Sequence, residues 1–193
     1  MTQTAPHTHL DSIHDDDIAR ISELVAPLGV TAERAPNLRG AARAIAAEIG
    51  TGDGEVMIAG ELLRAAPGLM NALDDAGVAW RVPEDLTRSV DAPLGVSLVH
   101  GALVETGSVI LAEGSLSDRG IGLVALNQIM LIPVSRIVPG LEEGAAIIRD
   151  VARKGGYATF VTGPSRTADI EMSLTVGVQG PGRVHYLFVD ALR

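Results

Sequence analysis

Short apolar runs alternating with helix-spaced stretches constrain this chain most. Glu55-Val56-Met57-Ile58-Ala59 reads as a buried strand, and residues 61–76 read as helical, restarting at Pro67 and closed by Gly77. Val78-Ala79-Trp80-Arg81-Val82 is a second short strand. Strand, helix, strand at this spacing calls for a parallel crossover, because a tight turn can join only antiparallel strands. Further apolar runs at Gly95–Val104, Ser108–Leu111, Ile129–Val134, Tyr157–Val161 and Val184–Val189 supply more strands. Helical spacing recurs at Ile18, Ile21, Leu24, Val25 and Leu28, from Leu38 to Ile49, around residues 141–153, and from about Thr167 onward. Glu105-Thr106-Gly107 has a tight-turn composition and predicts a hairpin. The expectation is an α/β fold, a layered sandwich with a mostly parallel sheet. At 193 residues the chain can bury roughly 70% of its unfolded surface, enough for one core. The reading is one domain over residues 15–193, preceded by a polar, His-rich flexible tail over residues 1–14.

Composition removes several kinds of chemistry. With no cysteine, the chain offers no disulfide, thiolate metal site, cysteine nucleophile or ligand for an iron–sulfur cluster. Lys154 is its one lysine, so no Walker A loop is present. Acidic residues outnumber basic ones 24 to 15, which argues against nucleic acid. No apolar run reaches the roughly 18 residues of a membrane span, and the start has no basic or apolar leader pattern, so a cytoplasmic location is expected. The five histidines, His7, His9, His14, His100 and His185, form no metal-ligand spacing. Many apolar strands in an Ala-rich chain are compatible with a homodimer.

Three segments could carry chemistry. Gly120-Ile121-Gly122-Leu123-Val124-Ala125 matches a dinucleotide glycine pattern, but a polar loop precedes it and a strand follows, so a loop leading into a strand is the better reading. Tyr157–Glu171 reads as strand, loop and helix. Gly163, Pro164, Ser165, Arg166 and Thr167 would present hydroxyls, a guanidinium and helix N–H groups to a carboxylate or phosphate, although Asp169 and Glu171 oppose an anion. Capping of the helix by Ser165 or Thr167 explains the same residues without a ligand. Glu105, beside Thr106 and Gly107, is either a general base or nucleophile, or a solvated turn residue. His185 stands between Val184 and Tyr186 and reads as a hydrogen-bonded core histidine.

Glu105-Thr106-Gly107 with Ser108–Leu111, Arg136-Ile137-Val138, Gly163–Glu171 and Gly177–His185 together resemble the LUD-domain proteins of the LutC/YkgG lactate-utilisation family. The resemblance covers roughly residues 95–190. It implies a fold like that of the NagB/RpiA isomerases and CoA transferases, and a subunit that works beside iron–sulfur partner proteins in oxidising L-lactate to pyruvate. It also implies a ligand role for Thr106, Gly107, Gln128, Gly163 to Thr167, Asp169, Glu171 and His185. The chain departs from the family in having Gln128 where relatives carry histidine in LLPxxH, and Gln179 where they read GVHGP. An amide cannot serve as general base, so any histidine-dependent step must lie elsewhere. The alternative is an independent small-molecule enzyme or binding protein of this fold, acting on an anionic ligand at Gly163–Thr167. Whether the chain itself catalyses a reaction stays open at this level.

Overall fold

The computed structural model describes residues 8–50, 54–83, 92–167, 175–177 and 180–192. In chain order its elements begin α1 (Thr8–Val25), β1 (Thr31–Ala35), α2 (Leu38–Ile49), β2 (Val56–Ile58), α3 (Gly60–Ala65), α4 (Gly68–Asp75), β3 (Trp80–Arg81) and β4 (Leu94–Leu98). They continue with β5 (Gly101–Leu103), β6 (Val109–Leu111), α5 (Leu116–Val124), β7 (Asn127–Pro133), β8 (Ile137–Val138), α6 (Leu141–Arg153), β9 (Thr159–Val161), β10 (Arg166–Thr167), β11 (Thr175–Val176) and β12 (Arg183–Val189).

A six-stranded sheet in the order β1-β12-β7-β4-β2-β3 forms the middle layer, and its pairs are all parallel. Every residue of β4 is buried, as expected for a strand covered on both faces. Alternation divides the core in two. Val96, Leu98, Ile129, Leu131, Leu187 and Val189 pack with α2, α3 and α4. Met130, Ile132, Tyr186 and Phe188 pack with Ile21 and Val25 of α1 and with Ala102, Val109 and Leu111 of a second sheet. That sheet, ordered β8-β5-β6-β9, contains the expected hairpin as the antiparallel pair β5–β6. The layered α/β sandwich with a mostly parallel main sheet is therefore what the chain forms.

α2 shows how local sequence sets an element. Asn37 Oδ1 accepts from the Gly40 amide at 3.0 Å, and Leu38, Ala41, Ala42 and Ile45 form the buried stripe. Asn37→Ala should lower stability by about 1 kcal/mol, or roughly 2–4 °C in Tm for a chain of this size. Thermal denaturation followed by circular dichroism measures it, and an unchanged Tm would contradict the capping role.

Five local expectations are corrected. Helix α1 begins at Thr8, so residues 8–14 are helical rather than tail; residues 1–7 lie outside the described residues. The run Gly95–Val104 is not one strand. Val99 N–H donates to Leu131 O in the large sheet at 2.9 Å, whereas His100 N–H donates to Ile110 O in the small one at 2.8 Å. The glycine-rich stretch at 120–124 lies in α5. Ser115 Oγ accepts from the Asp118 amide at 2.9 Å to start that helix, and burial of Ile121 outweighs the poor helix propensity of Gly120 and Gly122. β9 lies in the small sheet, antiparallel to β6, instead of joining a parallel array. Arg166 and Thr167 begin no helix: their backbones pair with Val176 and Thr175.

Candidate functional site

In an open parallel sheet, ligands bind at the carboxyl ends of neighbouring strands whose connections leave in opposite directions. Here those strands are β2, which leads through α3 and α4 to β3 on one side, and β4, which leads to β7 on the other. The chain leaving β2 reaches Glu61, and the chain leaving β4 reaches His100. Their side chains meet, with His100 Nε2 at 2.8 Å from Glu61 Oε1. The Ala112 amide donates to His100 Nδ1 at 3.2 Å, which assigns the ring proton of the neutral tautomer to Nε2, facing Glu61.

Around this pair the sheet ends supply charge. Arg136 follows β7, half-buried, and donates from Nη1 to Val99 O at 2.7 Å. Asp118 of α5 is 3% exposed and accepts from the Gly60 and Glu61 amides at 2.8 and 3.3 Å, fixing the start of α3 and with it the Glu61 backbone. Burial opposes ionisation of Glu61. The hydrogen bond with His100 and the fields of His100, Arg64 and Arg136 outweigh it, holding the carboxyl below its ordinary range.

Glu113, just beyond β6, has the opposite fate. Burial pushes it up to about 7, and the charges of Asp118 and Glu61 add to this, against the hydrogen bond from Ser97 and the field of Arg119. A directional chain orients its carboxyl: Gln128 Nε2 donates to Ser97 Oγ at 3.0 Å, and Ser97 Oγ donates to Glu113 Oε1 at 3.4 Å. Oε1 is thus taken, leaving Oε2 to carry the proton. Two carboxyls whose environments drive their protonation apart are the usual signature of separate acid and base roles. Glu61 is the member held ionised, and Glu113 the one pushed toward its protonated form.

A match to the LUD domain model runs over residues 19–189. The chain belongs to the LUD domain family. Among relatives of this LUD domain is Lactate utilization protein C 1 of Bacillus mycoides, 35% identical over 134 residues, covering 64% of this chain and 57% of the relative. Lactate utilization protein C of Bacillus subtilis is 34% identical over 111 residues, 55% of this chain and 46% of the relative. That of Oceanobacillus iheyensis is 40% identical over 103 residues, 51% and 44% respectively. The chain spans about half the length of these curated relatives. A crystal structure of a DUF162-family protein from Deinococcus radiodurans shares the fold, with a TM-score of 0.69 at 18% identity over 91% of this chain and 98% of that one.

Apart from Gln128, the residues singled out in the sequence occupy a different part of this LUD domain. Glu105 Oε2 accepts from the Leu141 amide at 3.0 Å, holding the first turn of α6, and a Cβ on Gly140 would lie only 2.4 Å from it. Thr106 Oγ1 donates to Ser108 Oγ, which is 2.7 Å from Thr162 Oγ1. Gly107, at φ 70°, accepts from the buried Tyr186 hydroxyl at 3.1 Å. Gly163 is also left-handed, at φ 83°, and buried beside Val30. Pro164 is half-buried next to it. The structure thus joins the 105–108 turn to the 162–163 loop around Tyr186. Ser165 N–H donates to Pro181 O, and Ser165 O accepts from Gly177, so the two glycine-bearing motifs brace each other.

Arg166 Nη2 donates to Leu28 O at 2.6 Å. Thr167 is in β10, and Asp169, Glu171 and Gln179 lie outside the described residues. The anion-binding arrangement expected there, a helix start after a parallel strand, is replaced by an antiparallel pair. His185 Nδ1 lies 2.8 Å from Thr31 Oγ1, near the amino ends of β12 and β1, and burial lowers its pKa. Of the expected residues, Gln128 belongs to the site at the strand ends through Ser97. Glu61, His100, Glu113, Asp118 and Arg136 went unread as a group. What they share is position in the fold: Glu61 and His100 each come within three residues of the end of a strand, β2 and β4, an end that the unbroken run around His100 does not mark.

Proposed function

We propose that this chain is a lactate utilisation protein C-like subunit that supports oxidation of L-lactate to pyruvate together with iron–sulfur partner proteins. The names of its relatives support this reading, and so does the presence at the sheet's switch point of two carboxyls driven apart in protonation, Glu61 downward and Glu113 upward. Oxidising a 2-hydroxy acid to a 2-oxo acid releases two electrons and two protons. Clusters in the partners would accept the electrons, since no cysteine here can ligate one. Glu61 would take the hydroxyl proton as general base, its carboxylate oriented by the Nε2–H of His100, with Arg136 beside Glu61 supplying positive charge for a carboxylate.

In a strain with no second copy, deletion should abolish growth on L-lactate. The wild-type chain should restore it, and His100→Ala should not. Affinity purification from lactate-grown cells should bring down cysteine-rich partners. Normal growth of the deletion strain on L-lactate would end the proposal.

The separated carboxyls also favour a second reading, an independent enzyme or binding protein for a small anion, acting at Glu61–His100. Thermal-shift screening of sugar phosphates, CoA esters and hydroxy acids separates the two. Stabilisation by one class without any lactate phenotype selects the second.

A further inference from the structure

Next to the polar cluster, α5 and the segment leading into and through β9 enclose a cavity of about 450 Å³. Leu116 and Leu123, each 64% exposed, and Tyr157 and Val161 give it apolar walls. Two of its lining side chains can carry charge at neutral pH. Glu113 is one. The other is Arg119, whose guanidinium carbon lies 4.8 Å from the centre of the Tyr157 ring. Arg119 Nε is buried with no hydrogen-bond partner among the described residues. A buried charged donor without an acceptor is costly, and it marks where an acceptor belongs.

We infer that this cavity binds a monocarboxylate with an apolar body, a medium-chain or aryl acid, its carboxylate held between Arg119 and the carboxyl of Glu113. The apolar walls and the stacked guanidinium match such a molecule, and the volume far exceeds what a three-carbon hydroxy acid would fill. Glu113 must donate a proton to share that carboxylate. The groups facing it are Asp118 and Glu61, which favour its protonated form, and Arg119 and the Ser97 hydroxyl, which oppose it. This cavity shares Glu113 with the polar cluster around Glu61 and His100, and the inference does not depend on a role in lactate oxidation.

Isothermal titration of the purified chain with acetate, butyrate, hexanoate, octanoate and 4-phenylbutyrate tests it. Affinity should rise about fourfold per added methylene until the cavity is full. It should fall about tenfold from pH 6 to pH 8, whereas Glu113→Gln, which keeps a donor that does not titrate, should bind equally at both. Leu123→Glu and Leu116→Glu, both at exposed positions on the cavity wall, should each abolish binding with Tm unchanged. Octanoate binding no tighter than acetate would overturn the inference. So would octanoate affinity unaffected by both folded variants, or octanol binding as tightly as octanoate.

Discussion

Gly95→Val should lower Tm by roughly 6–12 °C, equivalent to about 3 kcal/mol for a chain of this length. Gly95 lies inside β4, where α5 crosses the sheet. A Cβ there would sit 2.4 Å from Ile121 Cγ2 and 3.0 Å from Ala125 Cβ. Valine adds two further methyl groups to that contact, and neither neighbour is the loose end of a long side chain. The strand is buried along its length and flanked by β2 and β7, so it cannot step aside. The strain must move α5, and α5 carries Asp118, which holds the amides of Gly60 and Glu61. The same substitution should therefore weaken rescue of growth on lactate at temperatures where the protein remains folded. Differential scanning calorimetry gives the first result. A Tm within 2 °C of wild type would show that α5 does not bear on β4 as described.

The second large effect is a pH dependence assigned to one residue. Glu113 titrates near 7 when folded, against an ordinary value of 4.5. Because the folded value is raised, the native state holds an extra proton between pH 4.5 and pH 7, so stability falls as pH rises through that window. Below 4.5 the contribution is fully present, and above 7 it is lost. The whole change amounts to about 3 kcal/mol. Other groups titrate too, so the comparison is with Glu113→Gln, whose amide accepts the Ser97 hydrogen bond without titrating. Urea unfolding at pH 5, 6, 7 and 8 should show the variant gaining on wild type steadily up to about pH 7, then holding its lead. Parallel profiles for the two proteins would refute the assignment.

The sequence shows the layers of this fold more readily than its site, for a physical reason. Apolar runs such as Val56–Ile58 and Val184–Val189 must be buried, and burial on both faces marks a parallel sheet. The helix at Leu38–Ile49 carries its own cap and stripe, so local information suffices. The strand ends carry no such mark. His100 sits within an unbroken run of strand-forming residues, where periodicity places it mid-strand; only the pairing of its amide with Ile110 shows that it has left the main sheet. Glu61 and Glu113 are 52 positions apart in the chain, and neither has a local motif. The 105–108 and 163–167 stretches stand out because they contain glycines at positive φ and hydroxyl clusters, which tight packing around Tyr186 also requires. Glu105 illustrates the ambiguity: a carboxylate beside a glycine turn looks the same in sequence whether it takes a proton or holds a helix start.

The passage from Val99 to His100 has a mechanical consequence. Adjacent amides commit the backbone to two different sheets, with no unpaired peptide unit between them. A hinge needs free torsions, and this corner has none to spare. The two sheets are therefore welded at the point where His100 meets Glu61, and bending between them would have to break a ladder. Reorganisation around a bound molecule falls to α5 and the side chains it carries, while the imidazole and its carboxylate keep the 2.8 Å separation of their hydrogen bond.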